Sequence, residues 1–351
     1  MKRNYPVGIQ NFEKIRNGNY CYIDKTDLIY QLIKSGQYYF LSRPRRFGKS
    51  LLISTLEAYF QGKKELFEGL AIEQLEKEWI EYPILHLDLN AQKYDTPESL
   101  YSMLNNALCI WENLYGSRPS ETNLSLRFQG VIQRAAEKWN RPVVILIDEY
   151  DKPMLQAIGN EPLLNDYRNT LKAFYGVMKS CDKYIQFALL TGVTKFSKVS
   201  VFSDLNNLMD ISIDNRFANI CGITEKELLS NFKEDIVELG QKNGMTEEET
   251  KDYLKDMYDG YHFVEYGDDI YNPFSLLNTF AKMKFGSYWF ETGTPTFLVE
   301  LLKHSEYDLH RLTEEMTSAD SLGGIDTMYS NPIPILYQSG YLTIKGYDKE
   351  F

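Results

Sequence analysis

The sequence lacks the long apolar runs and the excess of positive charge that mark two common classes of protein. Across 351 residues the formal net charge is −11, and the pI is about 5.1. An acidic chain argues against nonspecific nucleic-acid binding, because such binding depends on neutralising phosphates. No apolar run approaches the roughly 18 residues of a membrane span, and residues 1–10 lack the apolar core of a signal peptide. We therefore expect no membrane partner. The acidic net charge of the whole chain does not exclude a local basic site.

Cysteine is scarce, and its spacing carries no motif. The cysteines are Cys21, Cys109, Cys181 and Cys221, and no two of them form a C-x-x-C pair. This spacing disfavours a zinc site or a redox motif. Free thiols are typical of a reducing compartment, so we expect a cytoplasmic protein.

The order of apolar segments predicts an α/β fold for the first part of the chain. Strand candidates lie at residues 38–41, 82–89, 143–147 and 184–190. They alternate with helical patterns, as in β-α-β units that build a mainly parallel sheet. The candidate at 143–147 is continuously apolar, which suits a strand buried on both faces.

After about Gly222 the pattern becomes mostly helical. Capping boxes begin at Thr224 and Thr246, and Asn272-Pro273 and Thr294-Pro295 each resemble a cap followed by proline in the first turn.

A length of 351 residues favours two domains rather than one of about 150 residues. We predict an α/β domain over residues 1–222 and a smaller, mostly helical domain over residues 223–351. The last strand candidate is residues 341–344, and because the sequence stops soon after it, we expect a further C-terminal domain beyond.

The loop after the first strand candidate carries the strongest chemical signal. It ends in Gly48-Lys49-Ser50, as does the phosphate-binding pattern G-x-x-x-x-G-K-[ST], or Walker A motif. In that pattern backbone amides face the phosphates, the lysine reaches the β- and γ-phosphates, and the serine hydroxyl binds Mg²⁺. The first glycine falls on Arg43, so the match is degenerate. The alternative is a basic loop that caps a buried helix.

The arginines of this loop permit two interpretations. They can add guanidinium contacts to a triphosphate and so offset the lost glycine, or they can contact acidic groups of the second domain or a nucleic acid. We favour the first, because it requires only the nucleotide. An arginine would be strained at φ > 0, so we expect the loop to open differently from the standard one. The predicted nucleotide contacts are Arg43, Arg45, Arg46, Phe47, Gly48, Lys49, Ser50 and Leu51.

The most apolar strand candidate ends in Asp148-Glu149. Phosphoryl transfer with Mg²⁺ needs an acidic residue at the end of a neighbouring strand, and Asp148 fits that role directly or through water. Glu149 can orient or deprotonate the attacking water. The alternative, a charged strand end at the surface, is disfavoured because the phosphate-binding loop precedes it in the expected order.

Further candidates follow the next strand. Thr191 ends that strand and could sense the γ-phosphate, although a locally satisfied hydroxyl would explain it equally well. The cationic candidates for the γ-phosphate are Lys195, Lys198 and Arg216. The alternative for each of them is an ordinary charged side chain on the solvent-exposed surface.

Taken together, several segments resemble the bacterial AAA-ATPase-like family. They are residues 23–26, 43–50, 147–151, 192–200, 221–224 and 271–275. The resemblance implies an additional-strand P-loop ATPase core with a helical lid, and it makes the missing glycine a family trait. It assigns Lys49 and Ser50 to the phosphates and Mg²⁺, and Asp148 and Glu149 to metal and water. Longer members carry a nuclease-like C-terminal domain, for which this chain lacks room.

The sequence therefore predicts an ATP-binding protein, and more finely a Mg²⁺-dependent ATPase that acts as a nucleotide-driven switch or motor. The expected cofactors are ATP and Mg²⁺, the catalytic residues Glu149, Lys49 and Thr191, and the metal ligands Ser50 and Asp148. The alternative is a nucleotide-responsive interaction module with little hydrolysis, and a third interpretation is coupling to nucleic-acid processing. Glu149 favours hydrolysis, since a pure binder needs no base there. The protein or nucleic-acid partner and the oligomeric state stay open.

Overall fold

The protein is described here from a computed structural model, which covers residues 3–196, 201–202, 205, 207–264, 267–291, 296–304, 316–322 and 331–346. Its centre is a parallel sheet. The strands are β1 (Tyr38–Ser42), β2 (Ile84–Asp88), β3 (Val143–Asp148), β4 (Ile185–Gly192) and β5 (Met209–Asp210). They pair in the order β2-β3-β4-β1-β5, and every ladder is parallel. The predicted α/β fold with a mainly parallel sheet is confirmed.

Helices surround this sheet and continue beyond it. The helices up to the end of β4 are α1 (Phe12–Asn17), α2 (Thr26–Ser35), α3 (Lys49–Phe60), α4 (Ala71–Leu75), α5 (Pro97–Tyr115), α6 (Leu124–Trp139), α7 (Lys152–Gln156) and α8 (Glu161–Ser180). Those that follow are α9 (Glu225–Asn231), α10 (Lys233–Asn243), α11 (Glu247–Tyr258), α12 (Pro273–Lys282), α13 (Tyr288–Glu291), α14 (Thr296–His304), α15 (Ala319–Leu322) and α16 (Ile333–Gln338). Among the later helices, β6 (Ile223–Thr224) and β7 (Ile270–Tyr271) form a short antiparallel ladder.

The strand order brings the loops of interest to one edge of the sheet. β4 lies between β1 and β3, with Ser42 opposite Gly192 and Ile147 opposite Leu190. Because the strands are parallel, the segments that follow β1, β3 and β4 all leave from the carboxyl edge, where open α/β sheets bind their ligands.

Burial on both faces explains why β3 is continuously apolar. Every residue of β3 is buried. Val143, Ile145 and Ile147 pack with α5, α6 and α8, whereas Val144 and Leu146 pack with α2 and α3 on the other face. Successive side chains of a strand point to opposite faces, so a strand covered by helices on both sides needs apolar residues throughout.

Sequence signals at the later helix starts are confirmed where the structure describes them. Thr224 with Glu227, and Thr246 with Glu249, form complete capping boxes. The Asn272 side chain accepts a hydrogen bond from the Ser275 N–H in the first turn of α12, and that helix begins at Pro273. Thr294-Pro295 lies outside the described residues.

The predicted strand at residues 341–344 was wrong. The backbone N–H groups of Tyr341 and Leu342 both donate to the carbonyl of Leu336, at 2.8 and 3.2 Å, and so close the end of α16. The Tyr341 ring packs on Trp289, with centroids 5.1 Å apart. The apolar character of this short run therefore serves packing after a helix rather than a sheet ladder.

The later helices belong to more than one hydrophobic core. Helices α9 to α12 pack around a core of their own, which Cys21 of the N-terminal segment also joins. Phe297 and Leu301 of α14 and Leu336 of α16 pack instead into the core of the sheet region. The division into domains at residue 222 stays a prediction, and these contacts tie the final helices to the sheet region.

None of the helices in the described segments combines the length and the apolarity required to cross a membrane.

The packing of α14 predicts a difference between two neighbouring positions. Leu301 is fully buried against the sheet-region core, whereas Val299 on the same helix is 39% exposed. Leu301→Ala should lower the free energy of unfolding by about 2–5 kcal/mol through lost burial and a cavity. Val299→Ala should cost about 0.5 kcal/mol. Equal and small effects in urea unfolding of the two variants would show that α14 does not pack on this core.

Candidate functional site

A cavity of about 660 Å³ opens at the carboxyl edge of the sheet. The loop after β1 and Glu149 after β3 form its centre. The N-terminal segment and α12 border one side, and α7 and the 3-10 turn after β2 border another. The lining residues used below are Val7, Ile9, Arg45, Arg46, Gly48, Lys49, Ser50, Leu51, Asn90, Lys93, Tyr94, Asp95, Glu149, Lys152, Gln156, Pro273, Phe274, Leu277, Phe297 and Glu300.

Arg43 does not reach this cavity. Its side chain is 1% exposed, and the guanidinium donates to the carbonyls of Ser42, Ser212 and Ala218 at 2.9, 2.7 and 3.2 Å. It also lies 4.2 Å from the centre of the Phe263 ring, and burial lowers its pKa. The predicted contact of this guanidinium with a triphosphate does not fit the geometry, because the side chain is buried and both terminal nitrogens donate to backbone oxygens outside the cavity.

The loop has no left-handed residue at position 43, where the G-x-x-x-x-G-K-[ST] pattern has its first glycine. Arg46 and Gly48 have the left-handed backbone conformation, with φ of 67° and 97°, whereas Arg43 does not. A left-handed arginine is uncommon, since most side chains are strained there. Gly48 then precedes the first residue of α3, so the amides of Lys49 and Ser50 lie in the first turn of that helix.

Lys49 holds the loop together from inside. Its side chain is 4% exposed, and its Nζ donates to the carbonyls of Arg43 and Pro44 at 3.0 and 3.2 Å. The same Nζ lies 3.8 Å from Oε1 of Glu149. The ammonium thus joins the loop to the end of β3. Ser50 and Leu51, the next two residues of the predicted set, also line the cavity.

The other loop side chains contact the later helices. Arg45 and Arg46 are exposed at the cavity and lie over the rings of Phe297 and Phe274, at 5.7 and 4.9 Å from the ring centres. Phe47 is buried and packs edge-on against Tyr261, with centroids 4.7 Å apart. Arg45 and Arg46 can therefore meet a ligand, whereas Phe47 fixes the loop to the helical region and does not line the cavity.

Asp148 and Thr191 form a buried pair at the ends of β3 and β4. The Thr191 hydroxyl donates to Oδ1 of Asp148 at 2.5 Å, and both side chains are buried. Thr191 does not line the cavity, so the predicted contact with a γ-phosphate does not fit. Its hydroxyl orients the Asp148 carboxylate instead.

Glu149 turns into the cavity through a left-handed backbone. Its φ is 55°, and a side chain other than glycine pays about 1 kcal/mol or more for that conformation. Flanking hydrogen bonds hold it: the Tyr150 N–H donates to the Thr191 carbonyl at 2.9 Å, and the Lys152 N–H donates to the Glu149 carbonyl at 3.0 Å. Backbone strain that neighbouring bonds enforce is a common mark of a functional position.

Asp151 binds the segment that follows β4. Its carboxylate accepts hydrogen bonds from the N–H groups of Val193 and Thr194 and from the Thr194 hydroxyl, at 2.7–3.0 Å. Burial, together with the charge of Glu149, raises the pKa of Asp151 to about 6. A Cβ on Gly192 would lie 2.6 Å from Oδ1 of Asp151, so the strand end tolerates only glycine here. This contact fixes the positions of both strand ends.

The cavity carries an excess of positive charge on an acidic chain. Five cationic side chains line it, against three carboxylates. The cations are Arg45, Arg46, Lys49, Lys93 and Lys152, and the carboxylates are Asp95, Glu149 and Glu300. Because the whole chain has a formal net charge of −11, this concentration of cations favours an anionic ligand.

The cations proposed from sequence for the γ-phosphate lie elsewhere. The Lys195 ammonium pairs with Asp210 beside β5, and Arg216 pairs with Asp214 at 2.6 Å on an exposed turn. Neither lines the cavity, so neither fits the predicted role within this chain. Lys198 lies outside the described residues.

Sequence reasoning missed Lys152 and Asn90. Lys152 Nζ donates to the carbonyl and the side-chain oxygen of Asn90, at 2.7 and 2.6 Å, and both residues line the cavity. Asn90 follows the end of β2 by two residues, and Lys152 follows the end of β3 by four. These positions could have indicated from sequence that the two residues lie near the site, because parallel strands bring their carboxyl ends together.

A family model described as "Predicted AAA-ATPase" matches residues 6–202. The chain belongs to this family. The matched range includes the loop after β1, the end of β3 and all of β4, so the resemblance drawn from the sequence motifs is confirmed. Family membership favours ATP binding.

A curated relative extends beyond the family match. It is described as "Uncharacterized protein in vnfD 5'region" of Azotobacter chroococcum mcd 1 and is 38% identical over 344 residues. The match covers 98% of this chain but 64% of the relative, so the chain spans less than two thirds of that protein's length.

The buried position of Arg43 predicts that it stabilises the fold. Arg43→Ala would leave three carbonyls without their donor, so the free energy of unfolding should fall by about 3 kcal/mol or more. Arg46→Ala, the exposed control in the same loop, should change it by less than about 0.5 kcal/mol. Urea denaturation measures both, and equal stabilities for the two variants would contradict the anchoring role.

Proposed function

We propose that this chain is a Mg²⁺-dependent ATPase that uses the cavity to bind and hydrolyse ATP. The observation that carries the proposal is the approach of the Lys49 ammonium to the Glu149 carboxylate, 3.8 Å apart, in a cavity lined mainly by cations. A cation for phosphate beside a carboxylate for water is the combination that phosphoryl transfer to water requires.

Triphosphate binding would use the loop and the first turn of α3. Backbone amides at the start of a helix attract phosphate oxygens through their free donors and the helix dipole. The Lys49 ammonium now donates to the Arg43 and Pro44 carbonyls, and phosphate oxygens would replace those acceptors. Arg45 and Arg46 are exposed at the same cavity, and each can contribute a charge-assisted hydrogen bond.

The oxygen atoms of Ser50 in α3 and of Asp148 at the end of β3 suit Mg²⁺. A serine hydroxyl and a carboxylate are hard oxygen ligands, which this ion prefers. Ser50 lines the cavity, whereas the buried Asp148 does not, so Asp148 would meet the ion through a bridging water. Its Oδ1 accepts hydrogen bonds from Thr191 and from the Glu149 N–H, which leaves Oδ2 outside these bonds. The bound ion would neutralise charge on the phosphates and leave the Lys49 and Glu149 roles unchanged.

Hydrolysis would depend on Glu149 as the base. As the water oxygen bonds to the γ-phosphorus, the water proton passes to a Glu149 carboxylate oxygen and the bond to the ADP oxygen breaks. Thr191 would act through Asp148 as a positioning residue, since its hydroxyl donates to that carboxylate. A carboxylate fixed by buried bonds needs no rearrangement during the reaction.

Contacts between the loop and the later helices support the switch interpretation. Phe47 accepts a backbone hydrogen bond from Gly222 at 3.1 Å, and the Trp289 indole donates to the Arg45 carbonyl at 3.2 Å. A change in the loop on phosphate binding would thus be passed directly to the helices that follow residue 222. We propose these helices as the lid of the nucleotide site.

Removal of the Lys49 ammonium should abolish ATP binding. Lys49→Ala deletes the buried cation, and the expected loss of affinity is about 100-fold or more, since several charge-assisted contacts disappear together. Isothermal titration with ATP and Mg²⁺ measures it. Lys179→Ala is the control, because this lysine is exposed on α8 and does not line the cavity. Unchanged affinity in Lys49→Ala would remove the loop as the nucleotide site.

Glu149→Gln should separate binding from turnover. The amide has nearly the shape of the carboxylate but cannot accept the proton, so we expect ATP affinity within a few-fold of the wild type and a turnover rate at least about 100-fold lower. Phosphate release in the presence of Mg²⁺, and after its removal by EDTA, measures turnover and its metal dependence. A wild-type rate in Glu149→Gln would exclude Glu149 as the base. No turnover in the wild type would favour the interaction module.

A further inference from the structure

We propose that Lys152, held by Asn90, forms the subsite that binds the γ-phosphate and so distinguishes nucleoside triphosphates from diphosphates. This inference rests on the proposed function and extends it to a residue that lies outside the motifs of the loop and the strand ends. The following four observations carry it.

Lys152 lines the cavity on the side formed by α7 and the turn after β2. Asn90, Lys93 and Gln156 line the same side, together with the apolar Leu155 and Ile158. The lining residues contributed by residues 6–10 and by α12 include no lysine or arginine. A terminal phosphate is therefore better matched by the side that holds Lys152.

Lys152 is placed beside the residues proposed for metal and water. It begins α7 three residues after Glu149, and its N–H donates to the Glu149 carbonyl at 3.0 Å. Its ammonium donates to Asn90, which follows β2 by two residues. The last residue of β2, Asp88, pairs in register with Asp148. The ammonium is therefore held at the carboxyl edge of the sheet, close to the ends of β2 and β3.

The charge of Lys152 is not matched by a carboxylate. Within the described segments Lys152 forms no ion pair within 4.0 Å, and its hydrogen-bond partners are the neutral oxygens of Asn90. Lys195, Arg216 and Lys93, by contrast, each pair with an aspartate.

This ammonium is also partly withdrawn from water. Burial lowers the pKa of Lys152, against the opposing effect of the Glu149 and Asp88 charges, while Arg45 lowers it further. A partly desolvated cation beside other cations gains most when an anion arrives, because the attraction is stronger where water is excluded. The terminal phosphate of ATP would supply that anion.

The test compares ADP with a non-hydrolysable ATP analogue that has an imido group between the β- and γ-phosphates. Dissociation constants for both, with Mg²⁺, are measured by isothermal titration on the wild type, Lys152→Gln and Lys152→Arg. Lys152→Gln should weaken binding of the analogue about tenfold or more, the equivalent of one lost charge-assisted contact, and leave ADP binding within twofold. Lys152→Arg should recover most of the loss. Lys179→Gln, at an exposed position of α8 outside the cavity, should bind both ligands as the wild type does.

Two results would overturn the proposal. Wild-type affinity of Lys152→Gln for both ligands would show that Lys152 touches neither nucleotide. An equal loss for ADP and the analogue would show that the side chain supports the site as a whole rather than the γ-phosphate. Both differ from failure of the proposed function, which would appear as an absence of binding to the wild type or as full binding to Lys49→Ala. Thermal unfolding of each variant confirms that it is folded.

Discussion

The buried guanidinium of Arg43 determines the shape of the loop on which the candidate site depends. Its bonds to the carbonyls of Ser42, Ser212 and Ala218 join the end of β1 to the segment that follows β5. Arg43 itself has no left-handed backbone, and the left-handed turns of the loop fall on Arg46 and Gly48. Lys49 then reaches back to the first loop carbonyls. Arg43, which replaces the first glycine of the Walker A pattern, therefore anchors the phosphate-binding loop instead of disrupting it.

A second constraint acts between the ends of β3 and β4. Thr191 holds Asp148, and Asp151 holds Val193 and Thr194. Glu149 lies between these fixed points, and that explains how it maintains a left-handed backbone. Buried hydrogen-bond networks that are fully satisfied are rigid. The residues proposed for the chemistry would thus be held by a rigid network at the ends of β3 and β4. Arg45 and Arg46, through their contacts with the rings of Phe297 and Phe274, connect this region to the later helices.

Local patterns were sufficient to predict four of the five strands of the sheet, the burial of β3 and the starts of α9, α11 and α12. Strand hydrophobicity and capping chemistry are properties of adjacent residues, whereas the two-residue β5 carries no such pattern. The same patterns placed Lys49, Ser50, Asp148 and Glu149 at one sheet edge, since the topology of β-α-β units brings strand ends together. They misplaced Arg43 and missed Lys152. Whether an arginine points into a cavity or behind a loop depends on carbonyls contributed by residues such as Ser212 and Ala218, which are distant in the chain.

The most direct test of this account is an experimental structure with the non-hydrolysable ATP analogue and Mg²⁺. The account predicts the phosphates on the amides at the start of α3, with the Lys49 ammonium moved from the Arg43 and Pro44 carbonyls to phosphate oxygens and Glu149 beside the γ-phosphate. A nucleotide bound elsewhere, or phosphates on the loop while Lys49 still donates to those carbonyls, would contradict it.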